Sequence, residues 1–295
     1  MKINTEKHVY KFSKSAIVST TVRSGTTITI ETLDAFSNQI VDEHSTFDEI
    51  DMSAVNPATG VIYVEEAEVG DTLKVEIHSI ELADQGVMAV APNLGVLGDE
   101  VKSFQSKIMK VNDKGVQFNE RITLPLRKMV GVIGVAPAGD DVSCGTPGDH
   151  GGNMDNTQMT EGATVYFPVA TKGALFALGD VHAAMGDGEV CVTGVEIAAN
   201  VTVKLSVEKR KVEMPWLENE HSVQVIASAQ TFEEAIQKGV RAWCSRLETE
   251  GGLSFDEAMM LISASGNTEV CHAVNPQKTI RVVIDKDVLR QVGMA

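Results

Sequence analysis

Apolar and polar residues alternate along the first two thirds of the chain. Leu73, Val75 and Ile77 are interleaved with Lys74, Glu76 and His78, the period-2 pattern of a strand with one wet face. Residues 27–30 and 60–64 read the same way. The stretch 192–207 is dense in Val, Thr and Ile, with Lys204 and Ser206 set between Val203, Leu205 and Val207. Such β-branched density suits pleated sheet. Residues 129–136 are apolar almost throughout, as in a strand covered on both faces. Gly131 and Gly134 within it imply a bulge or a close backbone approach. Two further apolar runs, 166–170 and 174–178, flank Thr171-Lys172-Gly173 and predict a hairpin with glycine in its turn.

The period changes after residue 230. Thr231 and Glu234 form a capping box, and Phe232, Ile236, Val240, Trp243 and Leu247 then recur at helical spacing until Gly251-Gly252 stops them. Ser254 and Glu257 form a second capping box, with Phe255, Met259 and Ile262 on one face. A strand over 279–284 closes the chain. The pattern predicts a mainly β protein with a C-terminal α/β portion, an α+β fold. It divides into a β-rich body over 1–230 that carries the site, and a helical hairpin plus strand over 231–295 packed on that body.

Composition narrows the function. The 295 residues are 43% hydrophobic and 22% charged, a balance that supports a packed core. Acidic residues number 41 against 25 basic ones, a net charge of −16. That surface repels polyanions, so nucleic acid and anionic membranes are poor partners. No apolar run reaches the roughly 20 residues of a membrane helix, and the polar N-terminus is unlike a secretory signal. Cys144, Cys191, Cys244 and Cys271 lie far apart with no CxxC pair, which predicts reduced thiols and a cytoplasmic location. A homodimer or higher homo-oligomer is expected.

Residues 139–189 stand apart. They hold eight carboxylates (Asp140, Asp141, Asp149, Asp155, Glu161, Asp180, Asp187 and Glu189), ten glycines, His150 and His182, and a single basic residue, Lys172. Crowded carboxylates repel each other unless something positive compensates, and a metal ion would supply that charge. Asp180 and His182, two apart, share one face of a strand, and Asp187 and Glu189 repeat the spacing. Imidazole with carboxylate suits zinc, whereas carboxylates alone suit calcium or magnesium. The competing reading is that Gly-Asp pairs simply make turns.

The other histidines lack such company. His78 points outward from its strand, and His8, His221 and His272 have polar or terminal contexts. His44 sits in an acidic loop that could reach the site. No cysteine has a nucleophile signature, and Cys191 is expected inside an apolar strand. No P-loop or GxGxxG motif occurs.

The same residues carry a resemblance. His150-Gly151-Gly152-Asn153-Met154-Asp155 resembles the HGGNxD signature of the acetamidase/formamidase family, and 179–190 resembles its GDxHAxxGDGEV signature. Val55-Asn56-Pro57-Ala58-Thr59-Gly60, Gly70-Asp71-Thr72-Leu73, Ile133-Gly134-Val135-Ala136-Pro137 and Gly173-Ala174-Leu175-Phe176 match in family order. The resemblance implies a β-sandwich architecture, a metal site described with zinc or calcium, and hydrolysis of short amides to a carboxylate and ammonia. Some relatives cleave lactams. Met185 stands where many relatives have Gln.

These observations predict a metal-dependent hydrolase of short linear amides of the formamide and acetamide type. The alternatives are cyclic amides as substrates, or a non-catalytic metal-binding β protein. Asp180, His182, Glu189 and Asp155 are the expected ligands of Zn2+, with Ca2+ as the other choice. His150 or Asp187 is expected to shuttle protons. Asn153 and the amides of Gly151 and Gly152 would stabilise the oxyanion, and Met185 would contact substrate.

Overall fold

A computed structural model describes residues 1–294. Its spine is the strand Thr72–Val90, which pairs antiparallel with Glu196–Glu208 from Thr72↔Glu208 to Val87↔Glu196. Leu73, Val75, Ile77 and Ile80 are buried along it while His78 is exposed, as the alternation requires. Thr26–Thr32 extends this layer beyond Glu196–Glu208, and Gln105–Asn112 and Thr164–Pro168 pair with the spine itself. A second group of strands is built on Phe176–His182. It is flanked by Met129–Gly134 and Ala58–Val64, and Gly151–Asn153 pairs with Met129–Gly134. The two groups share one apolar core and join at the pair His182↔Glu196, so the expected β layers are continuous with one another.

The Met129–Gly134 strand is buried at every residue, the outcome its unbroken apolar run predicts. The expected hairpin across Thr171-Lys172-Gly173 does not form. Thr164–Pro168 pairs with Thr72–Val90 and Trp216–Glu218, whereas Phe176–His182 joins the other group. Left-handed backbone at Gly173, Ala174 and Leu175 carries the chain between layers instead of reversing it within one. A short apolar run reports burial, and burial is compatible with either arrangement.

A second core gathers Trp216, Val225, Trp243, Leu247, Ile280 and Val282. Helices α1 (Phe232–Thr249) and α2 (Phe255–Ser265) form with both capping boxes in place. The expected face of α1 packs on this core, with Trp243 and Leu247 buried and Phe232 and Val240 half-buried against it, whereas that of α2 is rotated. In α1 the buried line runs through Ala235, Gly239, Trp243, Cys244 and Leu247. A side chain at Gly239 would come within 2.9 Å of Val282, so the helix seats its smallest residues on the sheet and leaves Ile236 at the rim. In α2, Ala258 and Ile262 are buried while Phe255 and Met259 are substantially exposed. The closing strand Lys278–Asp285 pairs with Ser222–Ala229 and with Asn267–His272, and a short helix α3 (Lys286–Gln291) follows. This core therefore draws in strands from before residue 231. No helix among the described residues is long and apolar enough to cross a membrane.

Candidate metal and active site

One strand brings the expected pair together. Asp180 and His182 sit near the end of Phe176–His182, and His182 Nε2 lies 3.5 Å from Asp180 Oδ1. Asp180 has φ +55, in the left-handed region that non-glycine residues avoid. Room for its carboxylate comes from the neighbouring strand. A Cβ on Gly131 would fall 2.6 Å from both Asp180 Oδ2 and Asp155 Oδ1, so the glycine is the close approach that the sequence implied. Asp155 follows the strand Gly151–Asn153 and also takes positive φ. Glu189 does too, at φ +45, and its Oε1 lies 4.0 Å from His182 Nε2.

A fifth side chain joins them. Glu196, the first residue of its strand, is paired opposite His182 and sets Oε2 3.1 Å from His182 Nε2. The donor atoms fall into two groups that share His182: Asp155 with Asp180, and Glu189 with Glu196. All five residues are buried. Yet both His182 nitrogens, Glu189 Oε2 and Glu196 Oε2 have no hydrogen-bond partner. His182 and Glu196 are thus close without being aligned to bond each other.

That geometry decides the electrostatics. Burial, with repulsion from neighbouring carboxylates, raises the carboxyls of Asp155, Glu189 and Glu196 above their ordinary range. Burial opposes charge on His182, but Glu196 and Asp180 outweigh it and raise the imidazole well above its usual value. Four carboxylates and an imidazole converge with buried atoms unpartnered, an expensive arrangement unless a cation completes it. Nitrogen plus several carboxylate oxygens is a donor set that fits a divalent metal.

Asparagines hold the carboxylates in place. With its amide oriented by its surroundings, Asn153 donates to Asp155 and, at 2.8 Å, to Asp180 Oδ2, while its oxygen accepts from Asn56 and Asn275. Asn275 also donates to Asp155 Oδ2 at 2.6 Å. Behind His182, Gly194 leaves the imidazole its space: a Cβ there would sit 2.4 Å from Nδ1.

The remaining expected residues are placed elsewhere. Asp187 and Glu189 do not share a face, because no strand forms there. Gly188 and Glu189 take positive φ and turn the two side chains apart. The Asp187 carboxylate is gripped by the buried Arg281, whose Nη1 and Nη2 donate at 3.0 and 2.6 Å, and by Thr157. His150 packs edge-on against Phe12, and burial holds its imidazole down at about 4. Gly151 and Gly152 serve strand packing, since a Cβ on either would collide with the backbone oxygens of Ile133 and Thr146 respectively. Met185 lines a cleft with Asp187 and Cys191, which meets the cavity in front of the cluster at Glu189 and Thr193. Cys191 lies in a turn rather than a strand. His44 is exposed, although its neighbours Phe47 and Ile50 line the cavity in front of the cluster.

Sequence reasoning missed Glu196, Asn275 and Arg281. Asn56 was visible only within a matching motif, and His272, expected in a polar setting, is buried against Thr279.

The model of a family described as the Acetamidase/Formamidase family matches residues 4–143 and 139–241. The crystal structure of an acetamidase from Bacillus halodurans is 41% identical, covers 99% of this chain and 100% of that one, and superposes with a TM-score of 0.98. That of a predicted acetamidase/formamidase from the thermophile Thermoanaerobacter tengcongensis is 42% identical, covers 100% and 98%, and gives 0.97. A formamidase from Methylophilus methylotrophus is 39% identical over 74 residues, 25% of this chain and 18% of that protein. The chain thus spans less than two thirds of this curated relative's length.

Proposed function

The chain belongs to the acetamidase/formamidase family, a family of amidohydrolases acting on carbon–nitrogen bonds other than peptide bonds, and we propose that it is a metal-dependent hydrolase of short linear amides. The observation that carries this reading is the convergence of His182 with four buried carboxylates whose atoms, together with both imidazole nitrogens, are left partly unpaired. Asp155, Asp180, His182 and Glu189 would hold a divalent cation. Zinc is favoured by the imidazole, and the carboxylates also admit calcium. When bound, such an ion supplies Lewis-acid polarisation of the amide carbonyl and lowers the pKa of nearby water.

The chain's own residues supply the rest. A general base must sit within reach of water in the cavity and be free to take up a proton near neutral pH. Glu196 lines the cavity, is buried, and keeps Oε2 free of any hydrogen-bond partner. We assign it the proton transfers: Oε2 takes a proton from the attacking water and delivers it to the departing nitrogen as the C–N bond breaks. The products are ammonia and the carboxylic acid, which leave as ammonium and carboxylate. His150 and Asp187 do not line the cavity, so the shuttling role expected of them moves to Glu196. Asn153 spends its donor on Asp155 and Asp180 and therefore orients those carboxylates rather than binding an oxyanion. Apolar walls from 35–55 and 89–104 face these carboxylates across the cavity, and a low-dielectric wall strengthens charge interactions beside it.

Ammonia release from formamide and acetamide by purified protein, lost on chelation and restored by zinc, tests the proposal. Full metal occupancy with no ammonia from any linear or cyclic amide would leave a structural metal site and refute it.

A further inference from the structure

The cavity in front of the cluster has two chemical faces. Its floor carries Asn153, Asp180, Glu189, Glu196 and Asn275. Its walls are apolar, with Phe36, Ile50, Val55, Val90, Leu94 and Phe104 chief among them. No lysine or arginine lines it among the described residues. The volume is about 150 Å³, a size at which an apolar cavity holds a molecule such as benzene. Formamide has no carbon to set against these walls, and acetamide has one.

We propose, resting on the hydrolase reading above, that the site selects neutral amides whose acyl chain carries three or four apolar carbons beyond the carbonyl, such as butanamide and pentanamide. Three observations support this together. The space exceeds what an acetyl group fills. The walls give an alkyl chain a dry surface, and each buried methylene strengthens binding roughly fourfold. A tail ending in a carboxylate would be stripped of water among apolar walls with no lysine or arginine to pair with it, a costly arrangement. Phe47 stacks at a tilt on Phe104, 5.7 Å between centroids, and both rings line the cavity. A chain much longer than pentanamide overruns the volume.

The experiment measures kcat/KM for ammonia release from formamide, acetamide, butanamide, pentanamide, octanamide and succinamate by metal-loaded protein. We expect a rise of roughly fourfold per methylene to pentanamide, a fall at octanamide, and at least a hundredfold discrimination against succinamate relative to butanamide. Highest kcat/KM on formamide or acetamide, or succinamate turned over as well as butanamide, would overturn the assignment. Two variants press it from opposite sides. Ala91→Leu, which fills the cavity, should lower the pentanamide-to-acetamide ratio at least fivefold; Phe104→Ala, which opens it, should raise the octanamide-to-pentanamide ratio. Both ratios unchanged in folded variants would also overturn it. Binding is read separately, from the rise in melting midpoint of chelator-treated protein in saturating butanamide against succinamate. If no amide releases ammonia, the hydrolase reading fails, and the cavity assignment stands or falls on that melting shift.

Discussion

Replacing Gly131 by alanine adds one methyl group to the most crowded point of the site. The new Cβ would stand 2.6 Å from Asp155 Oδ1, 2.6 Å from Asp180 Oδ2 and 2.9 Å from the Asp180 backbone oxygen. Neither carboxylate is free to swing aside. Asp155 is held by Asn275 and Asn153, and Asp180 by Asn153. The strand itself is buried on both faces, so relief requires shifts of several tenths of an ångström shared among groups that position His182 and its neighbours. Overpacking of this kind costs about 1–3 kcal/mol. For a chain of this length that lowers the melting midpoint by roughly 2–5 °C. Misplacing ligands by up to an ångström costs more in rate, on the order of a hundredfold. Gly131→Ala should therefore lose most of its metal at a fixed zinc buffer and about two orders of magnitude in ammonia release, while far-UV circular dichroism melting moves only a few degrees. Gly239→Ala is the control. Its Cβ would meet Val282 at 2.9 Å, a comparable strain in the second core away from the carboxylates, so it should melt lower and keep its rate per folded molecule. Equal metal content and activity in Gly131→Ala and the parent would refute the assignment of Asp155 and Asp180 to the site.

Three further outcomes are expected. His182→Ala removes the only nitrogen donor of the cluster, so zinc should be lost more readily than calcium and turnover should fall by orders of magnitude; unchanged zinc stoichiometry and turnover would remove His182 from the site. In metal-free protein Glu196 is pushed up to about 8 by burial, against the pull of His182 and with the repulsion of Asp180 added. The folded state then holds more protons than the unfolded chain, and stability falls as pH rises through that value. His150 and His272, held down to about 4 and about 3 by burial, act only below about 6.5, where imidazoles of the unfolded chain take up protons. The melting midpoint of chelator-treated protein should therefore drop between pH 6.5 and 8, and saturating zinc should flatten the curve; a rising midpoint without metal would contradict the burial argument. Cys191→Ser should keep full activity, since burial pushes the Cys144 and Cys271 thiols up to about 12 and Cys191 is tied to Thr193; abolished turnover with metal retained would reopen a thiol mechanism.

The legible part of the molecule is the part with a local cause. Period-2 alternation marks Thr72–Val90, the capping boxes mark the starts of α1 and α2, and a D-x-H pair on a strand marks Asp180 and His182. Even Gly131 was visible, because a glycine in an otherwise apolar strand must make room for something. The rest depends on what lies across the sheet or on another layer. Glu196 opens a β-branched stretch and reads as a polar strand end; only its register against His182 turns it inward. Asn275 comes from the second core, and nothing near it in sequence points at Asp155. Asp187 and Glu189 share a spacing, but positive φ at Gly188 and Glu189 separates them. The α2 face was misread, and the small residues Ala235 and Gly239 that α1 seats beside Trp243 and Leu247 were missed, because pattern reasoning follows large apolar residues. The cavity walls were missed because Phe36, Phe47 and Ile50 lie in a stretch with no periodicity at all.

The chain has only two tryptophans, Trp216 and Trp243. They meet edge to face with ring centroids 4.8 Å apart, and both belong to the second core. Intrinsic tryptophan emission is consequently an optical tag on that core alone, silent about the β layers that carry Asp180 and His182. Since Asn275 and Arg281 reach from the tagged core to Asp155 and Asp187, a spectral red shift would mark the moment those two props let go. Recorded beside far-UV dichroism during heating, the colour change would show which of the two cores opens first.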